Sequence, residues 1–114
     1  MAIQNWSERV LLAKPQNDPS FSEDLTDVLE IVRGNKDLSV VVDMKEVTHL
    51  GSSDLALLLR LRKVLLGHRQ ELLLCSVTTT AWSVFLATGL DFFFTFSTDV
   101  STALATLQID QDDE

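Results

Sequence analysis

The sequence predicts an α/β fold, a mixed and mostly parallel sheet of four to five strands with about four helices, on three observations. Apolar runs of strand length alternate along the chain with amphipathic stretches at helical spacing, and the connections between them are short. The run Leu38 to Val42 has almost no polar interruption, which suits a strand covered on both faces as in a parallel sheet. The chain has 114 residues, of which 46% are hydrophobic and 23% charged, enough for one domain that buries a core without disulfide or metal staples.

Each element follows from local chemistry. Glu8 to Ala13 carries Val10, Leu11 and Leu12 and meets Lys14-Pro15, so a first strand is expected to end at the proline. Gln16-Asn17-Asp18-Pro19 is turn chemistry, and Ser20 stands three residues before Glu23 in capping-box spacing, which starts a helix. Phe21, Leu25, Val28, Leu29 and Val32 recur on one face of it, with Gly34 as its expected left-handed stop. The strand Leu38 to Val42 ends at Asp43. After a connector, Ser52 and Ser53 are expected to cap a leucine-rich helix closed by Gly67. Glu71 to Ser76 reads as the next strand. A helix from Thr79 or Thr80 to Gly89 follows, with Trp82, Val84, Phe85 and Leu86 expected to be buried or nearly so. Phe92 to Phe96 reads as a fourth strand, and Ser97-Thr98-Asp99 caps a last helix that shares Val100, Ala103, Leu104 and Leu107 on one face. Residues 1–7 are left as an N-terminal extension, 8–108 as the domain, and 109–114 as an acidic disordered tail.

Composition narrows the function. Nine Lys and Arg against seventeen Asp and Glu give a formal charge of −8, which repels nucleic acid phosphates and anionic lipid. The single cysteine, Cys75, sits in an apolar run and permits no internal disulfide and no multi-cysteine metal site, in keeping with a reducing cytoplasm. The first ten residues include Gln4, Asn5, Glu8 and Arg9 where a signal peptide would be basic and then apolar. The greasiest stretch, Val77 to Phe96, is broken by threonines, Ser83, Gly89 and Asp91, so no membrane insertion is expected.

Catalysis, metal and cofactor are not expected. His49 and His68 lack an evident nucleophile partner. A Ser52, His49 and Asp43 triad lacks both a nucleophile elbow and a Gly-rich oxyanion loop. No convergent set of His, Cys or carboxylate ligands is visible, and the four glycines stand apart at 34, 51, 67 and 89 rather than in a phosphate-binding loop. Right-handed crossovers would gather strand carboxyl ends and helix amino ends on one rim, where function is expected. The hydroxyl pair Ser52-Ser53, beyond the strand ending in Asp43, is the notable feature there. By local chemistry it is either a simple helix cap, a contribution of about 1 kcal/mol, or part of a docking face.

Here the chain resembles the STAS domain family, whose bacterial members include anti-sigma factor antagonists, regulators of transcription. The resemblance rests on Val41-Val42-Asp43, on Gly51-Ser52-Ser53-Asp54 opening a leucine-rich helix, on the strand Glu71 to Cys75, on Ala87-Thr88-Gly89-Leu90, and on the Ala103-Leu104 helix. It implies a cytoplasmic protein-interaction module with Asp43, Gly51, Ser52, Ser53 and Asp54 on the partner-binding surface. It implies Ser52, with Ser53 second, as the phosphorylation site, and an anti-sigma factor or serine kinase-like ATPase as partner. A homodimer is left open. The family's acid before the hydroxyls is Gly51 here, and its following glycine is Asp54. A phosphate on Ser52 about 6 Å from Asp54 would be repelled by on the order of 1 kcal/mol in a watery site. Two readings stand: a module switched by phosphorylation, and a constitutive assembly subunit, for example of a lipid-transport ATPase complex, in which the serines only cap the helix.

Overall fold

The computed structural model describes residues 2–112. The elements are β1 (Ile3–Asn5), β2 (Val10–Ala13), α1 (Ser20–Arg33), β3 (Ser39–Asp43), α2 (Ser52–Gly67), β4 (Leu72–Cys75), α3 (Thr79–Thr88), a 3-10 turn (Leu90–Phe93), β5 (Thr95–Ser97) and α4 (Val100–Asp112). The five strands form one sheet in sequence order. β2 through β5 are parallel, with Leu12 opposite Val41, Val41 opposite Leu73 and Leu73 opposite Thr95. β1 runs antiparallel along β2, with Ile3 opposite Ala13.

The two-residue period of the strands divides the core. Leu11, Ala13, Val40, Val42, Leu72 and Leu74 face a layer made by α1, α2 and α3, which bury Phe21, Leu25, Val28, Val32, Leu58, Leu61, Leu65 and Phe85 against them. Val10, Leu12, Val41, Leu73 and Cys75 face the other way and are covered by α4 through Ala103 and Leu107. Each fully buried Leu or Phe contributes roughly 1.5–3 kcal/mol, so these two faces supply most of the driving force for folding. The three helices that connect the parallel strands share one face, so the carboxyl ends of β2, β3 and β4 and the amino ends of α1, α2 and α3 meet at one end of the molecule.

Several sequence expectations are corrected. β1 draws part of the segment 1–7 into the sheet, although Ile3-Gln4-Asn5 has no strand-like run of its own. Ser20 does not cap α1: it lies inside the helix and contacts Asp24, while the Asp18 carboxylate accepts the Ser22 N–H at 2.9 Å. Gly34 has φ −90° and is not the expected left-handed stop, whereas Gly89 (φ 73°) is left-handed; α2 does close at Gly67, and Arg69 (φ 59°) takes the left-handed conformation after it. Trp82 and Leu86 are exposed rather than in the core, because α3 buries only the stripe through Ala81 and Phe85. Of the expected strand Phe92 to Phe96, Phe92 and Phe93 belong to the 3-10 turn and the strand begins at Thr95. α4 continues to Asp112 through part of the expected tail, whose residues 113–114 lie outside the described residues.

Candidate functional site: the rim around Ser52

β3 delivers Asp43 to the rim, half-buried, where its Oδ1 accepts the Lys45 N–H at 3.0 Å. The connector from Met44 to Leu50 is anchored by apolar residues at every third position: Met44, Val47 and Leu50 are buried, while Lys45, Glu46, Thr48 and His49 face solvent. Its backbone is fastened from two neighbouring loops. Asn17, before α1, accepts the N–H groups of Thr48 (2.9 Å) and His49 (3.1 Å) and donates from Nδ2 to Thr48 Oγ1 (2.8 Å). Thr78, before α3, donates to the Val47 carbonyl at 2.8 Å and accepts the Ala81 N–H at 3.2 Å as the cap of α3.

Gly51 flanks the start of α2 in the cap position, and its N–H donates to Asp54 Oδ2 at 3.0 Å. The carboxylate therefore does the work of a cap from the third helical position, satisfying a backbone donor that would otherwise stay unpaired. Asp54 is only 2% exposed. Its Oδ1 lies 3.2 Å from Ser22 Oγ, and Ser22 is in turn hydrogen-bonded to Asp18, so the starts of α1 and α2 are joined through two carboxyls and one hydroxyl. Burial, with the Asp18 carboxyl nearby, pushes the Asp54 pKa up; the Ser22 hydroxyl bond pulls that of Asp18 down. Ser22 has one hydroxyl proton for two carboxyl neighbours, and a proton on Asp54 satisfies both contacts.

This arrangement changes the roles of the predicted site residues. Ser52 and Ser53 are exposed as the first two residues of α2. They do not cap the helix, because Gly51 occupies that position and Asp54 supplies the side-chain acceptor. Asp43, Gly51, Ser52 and Ser53 share the accessible rim. Asp54 does not join them at the surface of this chain; it is sealed beneath and supports them. Asn17, Asp18, Ser22 and Thr78 are the residues that sequence reasoning missed. Asn17-Asp18-Pro19 reads only as a turn in the sequence, and the partners of Asn17 lie more than thirty positions away, as for Thr48 at a separation of 31.

Among the described residues no group of three or more His, Cys, Asp or Glu could hold a metal. Cys75 is buried and its thiol is pushed up to about 12 by burial, reinforced by the Asp43 and Asp99 carboxylates. No helix among the described residues is long and apolar enough to cross a membrane.

Comparison with known proteins matches this architecture. An anti-sigma-factor antagonist (STAS) domain protein from Planctomyces limnophilus superposes with a TM-score of 0.79 at 20% identity, over 93% of this chain and 97% of that one. A serine-to-glutamate variant of RsbS from Moorella thermoacetica gives 0.74 at 12% identity, over 95% and 96%. A Thermotoga maritima protein solved by NMR gives 0.76 at 15% identity, over 95% and 89%. No curated protein matches the sequence. At such identities the likeness establishes the fold, and it is the STAS domain profile, matching residues 16–103, that establishes descent: the chain belongs to the STAS domain family.

Proposed function

We propose that this chain is a cytoplasmic regulatory interaction module of the anti-sigma factor antagonist kind, whose rim docks an anti-sigma factor or serine kinase-like ATPase and is released by phosphorylation of Ser52, with Ser53 as second acceptor. The observation that carries the reading is the pair of exposed hydroxyls opening α2 on a rim whose backbone is held by Asn17, Asp54 and Thr78. A rigid rim with free hydroxyls suits docking, because little ordering remains to be done on binding. A phosphate on Ser52 sits at a helix amino end, where unpaired N–H groups and the helix dipole favour it, and adds nearly two negative charges to the docking face. Burial favours the neutral form of Asp54, so the carboxyl under Ser52 opposes that phosphate less than the spacing in sequence suggests.

The test has two arms. The protein is incubated with ATP and the serine kinase-like ATPases encoded near its gene, and phosphosites are read by mass spectrometry. Binding of the partner is then compared for Ser52→Ala and Ser52→Asp. Phosphate at Ser52, with Ser52→Asp weakened at least about tenfold against Ser52→Ala, is the expected result. No phosphate at Ser52 or Ser53 with equal binding by both variants would sink the switch and favour the constitutive assembly subunit.

A further inference from the structure

The outer faces of α1 and α2 carry opposite charges. The buried stripe of α1 runs through Phe21, Leu25, Val28, Leu29 and Val32, and at about 100° per residue Glu23, Asp27 and Glu30 lie behind it, all exposed. The buried stripe of α2 runs through Leu55, Leu58, Leu61 and Leu65, and Arg60 and Lys63 lie behind that one, also exposed. In a chain of net charge −8, the stretch from Leu55 to Gln70 holds no acid. Arg33, Arg60, Lys63, Val64, Gly67 and His68 line a groove of about 560 Å³ between the two helices, again without an acid. Among the described residues Asp27, Glu30, Arg60 and Lys63 have no ion-pair partner.

The two helices run parallel and in step. Each crosses from the carboxyl end of one strand to the amino end of the next; Ser22 meets Asp54 near their starts at a sequence offset of 32, and Arg33 shares a groove with Gly67 and His68 near their ends. Carried along the helices, that offset sets Asp27 level with Leu59 and Glu30 level with Arg62, each about 1.5 Å short of Arg60 and Lys63. Acids and bases are both three positions apart, so the two sets match in height and in spacing.

A face of both signs selects its occupant. A partner of one sign, whether an acidic peptide, a nucleic acid or an anionic membrane, is attracted by one helix and repelled by the other. A second copy turned about a two-fold axis parallel to the helices sets α1 of each chain over α2 of the other at the same height. An axis across the helices would instead set acids on acids. We propose that this chain forms an isologous dimer through the outer faces of α1 and α2, in which Asp27 pairs with Arg60 and Glu30 with Lys63 of the second copy, and reciprocally. Helices of 14 and 16 residues give a face about 21–24 Å long and about 20 Å wide, so the dimer buries on the order of 900 Å² in all, the area of a weak and reversible contact. The dimer goes beyond the regulatory reading and does not depend on it. Ser52 precedes Arg60 by about 12 Å along α2, so the rim lies beyond the paired turns.

Sedimentation equilibrium of the full chain from about 10 µM to about 1 mM should show the mass rising from one chain toward two. Two half-swapped variants, Asp27→Lys with Glu30→Lys and Arg60→Glu with Lys63→Glu, each set like charges opposite one another and should associate at least about tenfold more weakly. The chain with all four substitutions keeps the net charge of −8 and should dimerise within about threefold of wild type, as should an equimolar mixture of the two half-swapped proteins. Dilution of wild type, followed by amide NMR shifts, tests the same contact without any variant: the changes should centre on residues 27–30 and 60–63. A wild type that stays monomeric throughout, half-swapped variants that dimerise as wild type does, a folded four-substitution chain that stays monomeric, or dilution shifts centred elsewhere would overturn the proposal. So would a monomer that binds poly-glutamate through Arg60 and Lys63, since a single-sign partner would then be the occupant.

Discussion

Replacing Asp54 with Ala tests the claim that this carboxyl supports the rim from beneath. The substitution removes the acceptor of the Gly51 N–H at 3.0 Å and the contact with Ser22 Oγ at 3.2 Å. Loss of a helix cap costs about 1 kcal/mol. Loss of a second, part-buried hydrogen bond costs about another 1 kcal/mol. The sum, about 2 kcal/mol, corresponds to a fall in Tm of roughly 6–12 °C for a domain of this size. Asp54→Asn keeps an acceptor for Gly51 and should cost less than about 1 kcal/mol. The pair also separates by pH. The folded state raises the Asp54 pKa from the ordinary 3.8, so it holds a proton that the unfolded chain releases. That contribution is fully present below the ordinary value and is lost as pH rises through the raised one. Asparagine has no such term, so the stability difference should move in favour of Asp54→Asn as pH rises from about 4 to about 7. Urea denaturation of the three proteins across that range is the assay. An Ala variant within about 0.5 kcal/mol of wild type, or parallel pH profiles for Asp and Asn, would refute the reasoning.

Two further outcomes follow from the same contacts. Asn17→Ala should loosen the Met44–Leu50 connector, with faster hydrogen exchange at the Thr48 and His49 amides and a stability loss of about 1–2 kcal/mol, while the amides of β3 keep their protection. Cys75, buried and with its thiol held near 12, should resist thiol reagents at pH 8 in the native protein and react on unfolding in urea; prompt native-state labelling would contradict its place in the core.

What could be read from the sequence, and what could not, divides by range. The runs Leu38 to Val42 and Glu71 to Ser76, and the stripe Phe21, Leu25, Val28, Leu29, Val32, were legible because a buried face imposes its period on neighbouring residues. Helix ends were less so. Ser20 and Ser52 have the residue type of a cap, yet the acceptors are Asp18 and Asp54, two residues away from each serine on opposite sides. The phenylalanine run misled for a different reason. Gly89 turns the chain left-handed, the following residues coil, and Phe92 and Phe93 face solvent, so composition alone could not tell a buried strand from an exposed turn. The hydroxyl pair was visible as residues, while its support was not. Ser22 and Asp54 are 32 positions apart and meet only because α1 and α2 pack side by side.

The lone helix on the reverse of the sheet has a bearing on how the protein is made. Val10, Leu12, Val41, Leu73 and Cys75 are covered there by α4, the last of these elements to leave the ribosome. Until it arrives, a nascent chain with every crossover in place still shows a greasy underside to whatever holdase is near. Chaperone release should therefore follow the docking of α4, because that helix is what covers the underside.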